Sequence, residues 1–334
     1  MSEPQQLLYG VAPGLRFAVV FDGRGGCREL DWDRVRDWRP EQGTLWIHLE
    51  RDAREAQAWL LEDSGLDRDT VRALLAEESR PRVECAEDSL LVFLRGVNRN
   101  AADDPVDLVP IHLWASPQRV ISLRDRDHYL LALRDIRQAL EAGRGPRSVG
   151  ELLVRIAEKV MKYVEPIVEE LDEECDRLDH QSHADMSRDW RSALGDLRRD
   201  AIGLRRYLAP QREALYRLQV EEVVWLSRGD RVGLREITDR TVRFVESLDV
   251  IRDRATLLHE DLTAQISERI SQTSNRLTAL AAVLLPPSLV AGLFGMNVDG
   301  VPGGGHSHGF WIISALLILL MVAEVWLLRR LKWI

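Results

Sequence analysis

Cysteine is scarce in this chain: Cys27, Cys85 and Cys175 are the only 3 in 334 residues, and they lie far apart. None forms a Cys-x-x-Cys pair, which argues against a disulfide-stapled fold and a cysteine-built metal site and fits a reducing cytoplasm. Basic residues are outnumbered, 45 Lys+Arg against 54 Asp+Glu, and the formal charge of -9 argues against nucleic acid as a partner. An acidic surface suits a protein that gathers cations, although most such surfaces serve solubility. No Gly-rich phosphate loop, His-Glu-x-x-His or nucleophile elbow occurs, so no catalytic residues, resident cofactor or enzymatic activity are expected. The opening Met1-Ser2-Glu3-Pro4 lacks a basic segment leading into an apolar run, so no signal peptide is expected.

Long apolar runs are also missing through the first 270 residues, and this shapes the composition: charged residues make up 30% and mean hydropathy is -0.21. Near the end the pattern reverses. From Leu277 to Val298 no residue carries a charge, and a second run, residues 310–328, is interrupted only by Glu324. Each is long enough to cross the roughly 30 Å hydrocarbon core of a bilayer as a helix. Arg269 and Arg276 precede the first run and Arg329, Arg330 and Lys332 follow the second, whereas residues 299–309 contain no Lys or Arg. The positive-inside rule therefore puts both termini in the cytoplasm and the linking loop outside. Trp311, Trp326 and Trp333 sit where aromatic belts anchor helices. The expectation is a multi-pass protein of the inner or plasma membrane.

Residues 1–145 read as a cytoplasmic α/β domain. Strands are expected at 15–21, 44–49, 89–97, 108–114 and 119–123, where β-branched and aromatic residues gather. Helices are expected at 53–61 and 67–76, the second capped by Asp67, and 98–107 reads as a hairpin loop. Residues 146–270 read as a helical stalk with helices from Val149 to about His180, from Met186 to about Leu226, and a third beyond a break at Arg228-Gly229-Asp230. In the third, Ile237, Thr241, Phe244, Leu248, Ile251, Ala255, Leu258 and Leu262 alternate steps of four and three, a heptad seam suited to a coiled coil or packed stalk. No breaker separates the seam from the first membrane span, so one long helix is expected to continue into the bilayer. The remaining divisions are a first span at 271–298, a loop at 299–309, a second span at 310–328 and a basic tail at 329–334. The fold class is thus an α+β membrane protein: an α/β cytoplasmic domain, long stalk helices and two C-terminal transmembrane helices.

Two helices cannot enclose an aqueous path, so ion passage would require several copies around an axis. Ser274, Leu277, Ala281, Leu285, Ser288 and Gly292 recur at near-helical intervals and are the candidate pore lining; small residues mark helix contacts equally well. Pro286 and Pro287 free the carbonyls of Ala282 and Val283, which water in a wet interior could satisfy. Leu277 and Leu285 could gate by dewetting. Gly295-Met296-Asn297 follows at the outer end. The Asn297 carboxamide can hydrogen-bond the waters of a hydrated divalent cation without stripping them, since dehydration is costly for small divalent ions. Asp299, His306 and His308 in the loop are candidates for attracting cations, and imidazole suits zinc better than magnesium. A Gly-rich loop holds no fixed tetrahedron, so plain solvation is the alternative. Glu324 reads either as a proton carrier or as a carboxylate that reaches the inner interface or pairs with a neighbouring basic residue such as Arg276.

The run from Pro286 to Asn297, Pro-Pro-Ser-Leu-Val-Ala-Gly-Leu-Phe-Gly-Met-Asn, closely resembles the membrane signature of the CorA superfamily of divalent metal transporters. The segments 77–82 and 205–212 and the basic tail with its tryptophan also resemble that family. The loop after Asn297 departs from the acidic loop of magnesium channels and is similar to the zinc-transporting ZntB branch. The resemblance implies a funnel-shaped homopentamer in the lipid bilayer with Asn297 at the pore entrance. It implies zinc as cargo, with Mg²⁺, Co²⁺, Ni²⁺ and Cd²⁺ as further candidates. Alternatives are a magnesium or cobalt channel and a membrane-anchored scaffold without a pore.

Overall fold

The structure, a computed structural model, describes residues 13–77, 80–86, 88–98, 106, 108–126, 128, 130–181, 188–296 and 308–330. The chain divides into two compact units, Met1–Thr256 and Leu257–Ile334. The first unit contains β1 (Leu15–Phe21), β2 (Cys27–Leu30), α1 (Trp32–Arg36), β3 (Leu45–Glu50), α2 (Arg54–Glu62) and α3 (Arg68–Leu75). It continues through β4 (Arg82–Ala86), β5 (Ser89–Val97), β6 (Leu108–Ala115), β7 (Arg119–Arg124), α4 (Leu131–Glu141), α5 (Val149–Gln181) and α6 (Arg188–Val220). The 67-residue helix α7 (Arg228–Phe294) begins in this unit and ends in the second, which also holds α8 (Gly309–Arg330).

The seven strands form one mixed sheet in the order β2-β1-β3-β7-β6-β5-β4, in which only the central β3–β7 pair is parallel. Parallel pairing at the centre demands cover on both faces, and β3 is buried at every position. On one face Ile47, Leu49 and Ile121 pack with Trp59 and Leu60 of α2 and Leu74 of α3. On the opposite face Trp46, His48 and Ser122 form a buried polar cluster, Trp46 Nε1 donating to Ser122 Oγ at 2.9 Å. Asp67 caps α3 as expected, its carboxylate accepting from the N–H groups of Asp69 and Thr70.

The expected strands 15–21 and 89–97 are found unchanged, and the other three differ by one residue at their ends. β5 and β6 pair from Val97↔Leu108, as the hairpin reading required; most of the connecting loop lies outside the described residues. Two strands were not anticipated. β2 and β4 lie at the sheet edges with charged, exposed positions such as Arg28, Glu29 and Glu84, so neither shows an apolar alternation.

One helix boundary differs from expectation. α6 ends at Val220, and Arg228-Gly229-Asp230 opens α7 rather than breaking a helix. The cause is a reciprocal cap: Asp230 Oδ2 accepts from the Ser227 N–H at 2.9 Å, and Ser227 Oγ accepts from the Asp230 N–H at 3.1 Å. Arg231 then donates to the carbonyls of Gln219, Glu221 and Val223, satisfying the chain that links α6 to α7. Every position of the expected heptad seam, from Ile237 to Leu262, is buried. Along it, Thr241 Oγ1 donates to the Ile237 carbonyl and meets Met161 Sδ of α5 at 3.1 Å. Arg254 bridges from α7 to Asp176 and Asp179 of α5, and these two carboxylates raise its pKa above the usual guanidinium value.

The segment 205–212 ties α6 to its neighbours. Arg205 pairs with Asp249 of α7, Tyr207 lies under the Arg95 guanidinium at 4.1 Å, and buried Gln211 both accepts from the Arg95 N–H and donates to its carbonyl.

Candidate functional site in the apolar hairpin

The last part of α7 and the whole of α8 are long and apolar enough to cross a membrane. The expected first span, 271–298, is helical to Phe294, and the expected second span, 310–328, lies inside α8. Pro286 and Pro287 are accommodated within α7. At Gly295 the N–H still donates to the Ala291 carbonyl at 2.9 Å, completing the last helical turn. A Cβ there would stand 3.2 Å from the same carbonyl oxygen, tighter than ordinary contact, so a larger residue would strain the helix end.

Ser274, Leu277, Ala281, Leu285, Ser288 and Gly292 are all exposed in the single chain. At about 100° per residue they fall on one stripe roughly 80° wide. Ala279, Val283, Pro286, Pro287 and Val290 are the less exposed positions of the same segment and centre on the roughly opposite side. The small and hydroxyl-bearing stripe is therefore distinct from the side covered within this unit. On that covered side Gln272, Asn275, Arg276, Ala279, Val283 and Val325 of α8 line a groove between the two helices. Gln272 and Asn275 were not singled out from sequence, although their spacing to Ala279 and Val283 is that of one helix face.

Met296 is half exposed at 51%. His308 is exposed just before α8, and its carbonyl accepts from the Ile312 N–H at 3.2 Å. Asn297, Asp299 and His306 lie outside the described residues. Glu324 does not pair with Arg276 among the described residues, and its Oε2 is buried without a hydrogen-bond partner. Among the described residues no group of three His, Cys, Asp or Glu side chains could hold a metal ion.

These elements define a class: a large α/β unit joined by one very long helix to a hairpin of two helices that are long and apolar enough to cross a membrane. The chain belongs to the family described as CorA-like Mg²⁺ transporter protein, whose pattern matches residues 41–330. It is 37% identical over 326 residues to the divalent cation transporter CmaX of Pseudomonas aeruginosa, covering 96% of this chain and 97% of that one. It is 34% identical over 323 residues to the zinc transport protein ZntB of Pectobacterium carotovorum, covering 96% of each. The solved structure of the full-length CmaX protein superposes with a TM-score of 0.83 at 36% identity, over 97% of this chain and 99% of that one. These relatives are named as transporters, and metal-ion transport is the class to which this chain belongs.

Proposed function

We propose that this protein carries divalent cations across the inner or plasma membrane through a pore assembled from several copies of α7, five in the arrangement that the family resemblance implies. The observation that carries the reading is the exposed stripe from Ser274 to Gly292, which leads to Gly295-Met296-Asn297 and is left uncovered by the chain's own second span. A stripe of small, hydroxyl and apolar side chains facing lipid would gain nothing from its hydroxyls. Facing an axis, it supplies a water-filled path with apolar constrictions at Leu277 and Leu285. Asn297 then selects at the mouth by hydrogen-bonding the ion's hydration waters, and both termini lie in the cytoplasm.

Zinc is the favoured cargo. Support comes from a relative named for zinc transport and from His306 and His308 in the linking loop, because imidazole binds zinc far better than magnesium. The second reading, magnesium or cobalt, rests on the family's own description and on the fact that a carboxamide reads hydration rather than metal identity.

Purified protein in liposomes with zinc, magnesium and pH reporters separates these readings. Zinc entry should exceed magnesium entry, Asn297→Ala should remove most flux of either ion, and His306→Ala with His308→Ala should lower zinc uptake alone. Full flux in Asn297→Ala, or a monomeric or dimeric assembly by native mass measurement in lipid, would overturn the proposed pore.

A further inference from the structure

The α/β unit contains a feature that metal transport does not use. Between the sheet and α4 lies a cavity of about 80 Å³ whose charged lining is Arg16, Arg124, Arg134 and Arg137 with one carboxylate, Glu141. Three adjacent strands and one helix bring these side chains together: Arg16 comes from β1, Arg124 from β7, and Arg134 and Arg137 from α4, with His48 of β3 on the floor. A register irregularity between Leu15 and Phe17 lets consecutive residues Arg16 and Phe17 both reach the cavity.

Four guanidinium groups around a small cavity in an acidic protein repel one another and need compensation. Part of it is present: Glu50 engages Arg16, Glu29 and Glu141 hold Arg137 at 3.0 and 2.8 Å, and Asp135 meets Arg134 at 3.3 Å. The positive field still reaches the cavity floor. His48 is held well below the ordinary histidine pKa, first by burial and then by the positive fields of Arg124 and Arg16. Arg134 Nε is buried without a hydrogen-bond partner. The Arg137 guanidinium lies over the Phe17 ring at 5.1 Å, a stacking that fixes the plane of its donors. The volume holds several waters' worth of ligand and is well below the roughly 300 Å³ at which pockets for larger organic molecules begin.

We propose that this cavity is a binding site for a compact oxyanion: inorganic phosphate, or the phosphate or carboxylate head of a small metabolite. The arginines would donate charge-assisted, fork-type hydrogen bonds to its oxygens, and Phe17, Leu130 and Leu133 would form the apolar wall. The proposal is independent of the cargo of the membrane hairpin.

The test uses the full-length protein in detergent with EDTA, titrated calorimetrically at matched ionic strength with inorganic phosphate, glycerol 3-phosphate, acetate or chloride. Saturable binding of phosphate, glycerol 3-phosphate or acetate, but not of chloride, is the expected result, and the tightest of the three identifies the source of the anion. Arg134→Gln and Arg137→Gln should each weaken that binding about tenfold or more, the effect of losing a charge-assisted hydrogen bond. Should those variants fail to fold, the wild-type protein still decides: a bound anion cancels the arginine field, so the His48 imidazole resonance should titrate at higher pH. Absence of saturable binding, or binding that leaves His48 unmoved, overturns the proposal.

Discussion

His48 is buried on a central strand, its Nδ1 2.8 Å from Ser122 Oγ, its ring 5.0 Å from Phe17. Burial and the nearby arginines keep it neutral in the fold, whereas in the unfolded chain it titrates near 6.5. Its folded pKa is therefore depressed, and the unfolded state binds more protons as the pH falls below about 6.5. Stability is present above that value and is lost as acid approaches the lower folded value. His112 acts in the same direction, with burial first among its causes. Melting midpoints of the purified protein should fall between pH 7 and pH 5, and His48→Gln should flatten that fall. An unchanged slope would mean that the imidazole takes up protons equally in the folded and unfolded states and contradict its lowered pKa. At the same scale, Gln211 and Tyr207 explain why residues 205–212 matter to this chain: they hold α6 against β5.

At the scale of elements, the start of α7 decides how it meets α5. Gly150, in the first turn of α5, stands so near the Asp230 cap that a Cβ would collide with Asp230 Oδ2, and at Gly233 a Cβ would be 2.8 Å from Val154 Cγ1. The two helices touch where glycine permits it. Gly150→Ala should destabilise by about 1–3 kcal/mol, as overpacking does. Asp230→Ala should cost about 1 kcal/mol through the lost cap. In the double variant the collision is relieved, so the two losses should add to less than their sum in denaturation midpoints; strict additivity would contradict the close contact. The heptad seam of α7 was legible because apolar spacing alone specifies a buried stripe. The capping pair Ser227–Asp230 was equally visible as Ser-x-x-Asp, but Gly229 beside it suggested a break. α4 was passed over although Leu133, Ile136 and Leu140 recur at helical spacing, because the segment also carries Arg134, Asp135 and Arg137.

For the molecule as a whole, the apolar hairpin and the charged remainder were separable by eye, since each apolar run is long enough to cross a bilayer. The proposed pore makes a topological prediction. In a background lacking Cys27, Cys85 and Cys175, a water-soluble thiol reagent should label Ser288→Cys and Gly292→Cys in membranes and spare Leu316→Cys. Labelling confined to the α8 position would refute the assignment of α7 to the axis. All three positions are exposed in the single chain, so only the assembled protein distinguishes them.

What the sequence determined alone was whatever rests on local pattern: the two apolar spans, the heptad seam, five interior strands, the Asp67 cap and the family signature ending at Asn297. Each is written in neighbouring residues, because helix and strand periodicities and bilayer thickness act over short stretches of chain. Tertiary structure alone decided what depends on residues distant in sequence. It paired the polar edge strands β2 and β4, turned the stripe from Ser274 to Gly292 away from the covered side of α7, and left Glu324 apart from Arg276. It also gathered Arg16, Arg124, Arg134 and Arg137 around one cavity from three separate elements. Such convergence follows from strand order and helix packing, which no local spacing encodes.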